Sequence, residues 1–150
     1  MAEMASVHDL AAYLTSKFGV IGTMKLEKLV YYCQGWWVAR NDSVLFPEPL
    51  EAWRMGPVCP DLYREHRRRN YVDAWPMGDA SKLGDAERRH VDAVVDVYGA
   101  YSGFRLGDMT HEERPWNAAM AAGGLNTEIA ISDMRAYFAE ADRQASNFNR

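Results

Sequence analysis

Residues able to do chemistry are scattered along this 150-residue chain, and few stand at the spacings that chemistry requires. His111-Glu112 begins like a zinc-protease helix, but that motif needs a second histidine one turn on, and position 115 is Pro115. His8, His66 and His90 share no ligand spacing with one another, so no metal site is expected. Gly99, Gly103 and Gly107 fit neither phosphate-cradling pattern, GxxxxGK[ST] or GxGxxG, and no GxSxG nucleophile elbow occurs. Cys33 and Cys59 lack both CxxC spacing and the density of a disulfide scaffold, and read as reduced structural thiols. The expectation is a protein that binds rather than catalyses, with no cofactor.

Two charge features remain. Arg64-Glu65-His66-Arg67-Arg68-Arg69, followed by Tyr71, suits contact with phosphates or with an acidic protein surface. The same cations also complement the dipole at a helix C-terminus, which explains them without any partner. With a formal charge of -4, no helix-turn-helix spacing and no wider basic face, nucleic acid is a disfavoured partner and protein the preferred one. Lys25, Lys28 and Tyr32 stand at i, i+3 and i+7 and line one strip of a helix, expected to face solvent or a partner.

The elements that must position these residues follow from periodicity. Val7, Leu10, Ala11, Leu14 and Phe18 predict a helix that Ser6 caps and Gly19 ends. Thr23 is read as the cap of a second helix, with Leu26, Leu29, Val30, Cys33 and Trp37 on its buried face. Pro47, Pro49, Pro57 and Pro60 interrupt the helical period, and short strands are expected at residues 44–46 and 50–55 as a hairpin, with Gly56-Pro57 as a turn. A third helix starts at Pro60 and runs through Leu62, Tyr63 and His66. Residues 70–84 read as a mobile loop tolerant of insertion.

Asp85 then caps a fourth helix with Val91, Val94, Val95, Tyr98 and Tyr101 on its buried side, ended by Gly103. Residues 106–110 form a short helix, Pro115 starts another that Gly123-Gly124 closes, and residues 127–131 make a brief edge strand. Ser132 is read as the cap of a last helix bearing Met134, Tyr137, Phe138 and Ala141. Together these predict a mainly α (α+β) fold, one compact domain with a small β hairpin or sheet, over residues 6–142 with tails at 1–5 and 143–150. One such domain buries roughly two thirds of its unfolded surface, and a composition 48% hydrophobic and 12% aromatic supplies the core. No secretory signal and no stretch of roughly 20 apolar residues occurs, so a cytoplasmic location without membrane contact is expected.

Three stretches resemble one known family. Met24-Lys25-Leu26-Glu27-Lys28-Leu29-Val30-Tyr31-Tyr32-Cys33-Gln34-Gly35-Trp36 looks like its first helix signature; Glu51-Ala52-Trp53-Arg54-Met55-Gly56-Pro57-Val58 and Thr110-His111-Glu112-Glu113-Arg114-Pro115-Trp116 are similar to its second and third, in the same order and spacing. This is the Panacea-domain family, also described as SocA-like antitoxins and as phage-associated GepA-type proteins. The resemblance implies an antitoxin that neutralises a cognate toxin by direct binding, and a family partner can also be a protease, to which an adaptor delivers the toxin. A phage or prophage host-interaction role and a nucleic-acid-binding regulator using Arg64 to Arg69 are the alternatives. Trp53, Gly56, Pro57, Val58, Pro115 and Trp116 are expected to be scaffold, because turns, helix starts and core packing explain them. Lys25, Lys28, Tyr32 and His111 are harder to explain by packing. With Arg64, Arg67, Arg68, Arg69 and Tyr71, they are the candidates for a partner-binding surface, or for a buried polar network bracing one.

Overall fold

The computed structural model describes residues 4–148; residues 1–3 and 149–150 of the expected tails lie outside them. Helix α1 (Val7–Phe18) starts as expected: Ser6 Oγ accepts from the Asp9 amide while an Asp9 carboxylate oxygen accepts from the Ser6 amide, so two orphan donors are satisfied at once. Helix α2 (Thr23–Asn41) is the axis of the fold and packs against four other helices. Those are α1, α4 (Asp85–Tyr98), α5 (Gly103–Thr110) and α7 (Ile131–Phe148). Every residue from Leu26 to Gly35 is buried. A helix buried all round has no polar face to set against an apolar one. Gly35 marks the closest approach, since a Cβ there would stand 2.1 Å from the Phe138 ring of α7.

This arrangement overturns the exposed strip. Lys28 is 1% and Tyr32 0% exposed, because α4, α5, α7 and a β hairpin cover the side of α2 that carries them. The hairpin joins β2 (Glu51–Trp53) to β3 (Gly56–Val58), with Trp53 opposite Gly56, and β5 (Thr127–Glu128) pairs on the other edge of β2. Gly56 adopts φ +114°, a conformation side chains rarely take, and so closes the turn. Residues 44–46, expected as a strand, pair with no strand among the described residues. The Gln34 side chain stands in for a neighbouring strand, its Oε1 accepting from the Leu45 amide at 2.7 Å and its Nε2 donating to the Phe46 carbonyl at 2.8 Å.

A second, two-stranded pairing joins β1 (Ile21–Gly22) to β4 (Tyr71–Val72). It follows α3 (Pro60–His66) and opens the segment read as a mobile loop. That segment is in fact a strap fastened to α1. Trp75 is buried and its Nε1 donates to His8 Nδ1 at 3.1 Å; the Asp79 amide donates to Asp9 at 2.8 Å; and Leu83 is buried beyond a 3-10 turn at Ala80–Lys82.

Cap assignments shift by a residue or more. Gly22 and Gly84 occupy the N-cap positions expected for Thr23 and Asp85, and Ser132 lies inside the first turn of α7. Thr23 instead donates its hydroxyl to the Arg69 carbonyl at 3.0 Å, tying α2 to the residues after α3. Tyr101 lies beyond the end of α4 and is 41% exposed. Helix α6 (Arg114–Gly123) carries Pro115 in its first turn, one residue after the helix start rather than at it. Ala5 packs on the core and α7 continues to Phe148, so ordered structure extends past both expected domain limits. Cys33 and Cys59 are buried thiols, and burial pushes the Cys59 thiol up to about 12. Among the described residues, no helix is long and apolar enough to cross a membrane.

Candidate functional site

Two polar clusters form along α2. The first starts from Glu27 and Lys28, adjacent charges in the middle of a buried helix. Glu27 is satisfied on both oxygens: one accepts from the Cys59 amide at 2.8 Å, the other from His66 Nε2 at 2.7 Å. It thereby fixes the start and the end of α3. Lys28 reaches the hairpin, where Nζ donates to the Pro57 carbonyl at 3.1 Å. That bond engages one of three ammonium protons. Burial lowers the Lys28 pKa to about 8 despite the neighbouring Glu27 charge, which favours the cation.

Glu27, Lys28 and His66 line a cavity of about 260 Å³ between the start of α2, the hairpin and α3. Trp53 and Tyr63 form an aromatic wall, edge to face with centroids 4.7 Å apart, and Arg67 and Arg69 stand at the rim. Arg64 is committed to Asp61 one turn earlier on α3, whereas Arg67, Arg68 and Arg69 form no ion pair among the described residues. A second hollow, of about 540 Å³, shares Thr23, Met24 and Asn70 with the first and brings in Lys25, Tyr71 and Phe104. Tyr71 is 69% and Phe104 66% exposed. Lys25 is half-buried; its ammonium donates to the Gly99 carbonyl and lies 5.0 Å from the centre of the Phe18 ring, and burial lowers its pKa. The result is one continuous face with cations and aromatic side chains around a charged floor.

The second cluster is a brace beneath the first. Tyr31 and Tyr32 donate to the two oxygens of Glu113, at 2.9 and 2.8 Å, and Tyr32 stacks on Tyr98 with centroids 4.0 Å apart. Glu113 is 7% exposed, and burial outweighs the two hydroxyl donors, pushing its carboxyl up to about 7. His111 donates from Nε2 to the Arg54 carbonyl at 2.9 Å, and Trp116 donates from Nε1 to the Trp53 carbonyl at 2.9 Å. The loop before α6 and the first turn of that helix are thereby clamped onto the end of β2 and the start of the hairpin turn.

Of the expected surface residues, the structure gathers Arg67, Arg69, Lys25 and Tyr71 on one face, with Lys28 as its floor. It sets Tyr32 in the buried brace and half-buried His111 at its edge, against the hairpin turn. Arg64 and Arg68 remain exposed outside the cavity wall. Trp53, Pro57, Val58, Pro115 and Trp116 pack or bond as scaffold, although Trp53 also walls the cavity. Sequence reasoning missed Glu27, Tyr63 and Glu113. The signal for Glu27 is its place between Leu26 and Leu29, in a helix with too many apolar residues to leave a solvated side.

A comparison with curated proteins and another with solved structures gave no match. A family model described as "Antitoxin SocA-like, Panacea domain" matches residues 26–117, a span running from α2 to the start of α6 that contains both polar clusters. That span is more than half of the chain, which therefore belongs to the SocA-like, Panacea-domain antitoxin family.

Proposed function

We propose that this protein is the antitoxin of a toxin–antitoxin pair, acting in the cytoplasm without catalysis by binding its cognate toxin and occluding or distorting it. Family membership is the observation that carries this reading. The face around Arg67, Arg69, Tyr71 and Phe104 supports it, because arginine and exposed aromatic side chains are the usual anchors of protein interfaces. Unpaired cations at the rim would steer an acidic partner toward that face. Delivery of the toxin to a protease would need the same contact first.

Co-expression with each adjacent open reading frame tests the reading. Growth arrest by one neighbour should be relieved by this protein, and the two should co-purify. An Arg67→Glu, Arg69→Glu double variant that keeps the helical signal should relieve the arrest less well. Arrest that persists with every toxic neighbour would refute the antitoxin role.

A further inference from the structure

The cavity floor carries a charge that the fold leaves incompletely used. Lys28 is 1% exposed, yet among the described residues its ammonium has the Pro57 carbonyl as its one hydrogen-bond acceptor. A buried cation normally spends all of its protons on protein or ligand, because an unspent donor in a low-dielectric site is costly. Glu27, the adjacent carboxylate, gives one oxygen to the Cys59 amide and the other to His66. The rim adds Arg67 and Arg69, so the lining holds three lysine and arginine cations against one carboxylate.

Size narrows the occupant. Sites for cofactors and drug-sized ligands run from about 300 to 1,000 Å³. At about 260 Å³, this cavity holds a single side chain with an apolar stem, which Trp53, Tyr63 and Met24 would cover.

We infer that the Lys28 cavity is an anchor pocket for one carboxylate of a partner protein, an Asp or Glu side chain inserted alongside the wall that Trp53 and Tyr63 form. The carboxylate accepts from Lys28 at the floor and from Arg67 or Arg69 at the rim. This rests on the antitoxin reading for the partner's identity, but not for the chemistry of the pocket.

The two parts are tested separately. In the first, the labelled protein is titrated with N-acetyl-aspartate and N-acetyl-glutamate, following the Lys28 methylene and Trp53 indole signals by NMR, with N-acetyl-asparagine, N-acetyl-glutamine and adenosine monophosphate for comparison. A saturable response to the acids in the millimolar range is expected, at least tenfold weaker for the amides. It should vanish in Lys28→Met and weaken several-fold in Arg69→Glu, which alters the rim and leaves the buried floor in place. An equal response to acid and amide, no saturable response at Lys28, or tenfold tighter binding of the nucleotide would overturn the pocket. In the second part, Lys28→Met is co-expressed with the toxic neighbour that the wild type neutralises. Loss of rescue with folded protein is expected. Full rescue would remove the pocket from toxin binding while leaving the antitoxin role intact, and failure of the wild type to rescue would sink that role while the titration still judged the pocket.

Discussion

Replacing Glu113 by Gln should change the pH dependence of stability more than stability itself. The Glu113 carboxyl titrates near 7 in the folded protein against an ordinary value of 4.5. Between those values the folded state keeps a proton that the unfolded chain has released, so folding takes up a proton and stability falls as pH rises. The contribution is fully present below 4.5 and lost above 7. At about 1.4 kcal/mol per pH unit between the two values, the loss approaches about 3 kcal/mol. Glutamine reproduces the protonated form: its carbonyl accepts from one of Tyr31 and Tyr32, and its amide donates to the hydroxyl of the other, now turned to accept. Urea unfolding followed by tryptophan fluorescence should find the two proteins within about 1 kcal/mol at pH 5. By pH 8 the variant should be the more stable by up to about 3 kcal/mol. A difference that stays constant from pH 5 to 8 would mean that the carboxylate is ionised at no cost, and that the burial argument for the brace is wrong.

Lys28→Met should raise stability at pH 7, by up to about 3 kcal/mol, because an ammonium that loses its proton near 8 instead of 10.5 is held charged at a cost. The wild type should recover that stability between pH 8 and 10.5, where the unfolded chain still binds the proton, so denaturation at pH 10 should find the two closer together. Gly56→Ala should destabilise by about 2 kcal/mol or more in a urea titration, since φ +114° disfavours alanine and its Cβ would stand 2.7 Å from Thr110 Oγ1 and 2.8 Å from Lys28 Cε. Trp75→Ala should cost about 3–5 kcal/mol and raise amide hydrogen exchange across residues 73–83. A loop not fastened to α1 would tolerate that change with little effect on either measure.

The sequence was easiest to read where one face is buried and the cap is local. Helix α1 meets both conditions, with Ser6 and Asp9 three residues apart and Val7, Leu10 and Leu14 on one stripe. Helix α2 meets neither: Gly22 has no capping side chain, and burial on every side erases the contrast that periodicity needs. The misread segments failed for a related reason, namely that their partners are remote in the chain. Residues 44–46 lean on a helical glutamine, and the strap at residues 70–84 leans on His8 and Asp9. Both look like free chain to any local rule.

The three sequence motifs were recognisable singly, but their purpose is visible only where they meet. Lys28 from the first reaches Pro57 of the second, Tyr31 and Tyr32 of the first hold Glu113 of the third, and Trp116 of the third bonds Trp53 of the second. Each pairing closes a long loop, so together they fix the hairpin, α2 and α6 as one rigid unit. Arg67 and Arg69 after α3, Tyr71 on β4 and Phe104 on α5 flank that unit and contribute to none of these bonds. Their side chains can therefore change in charge or size without disturbing the frame, whereas Lys28, joined to the frame through Pro57 yet lining the cavity, ties the identity of the bound group to the fold itself.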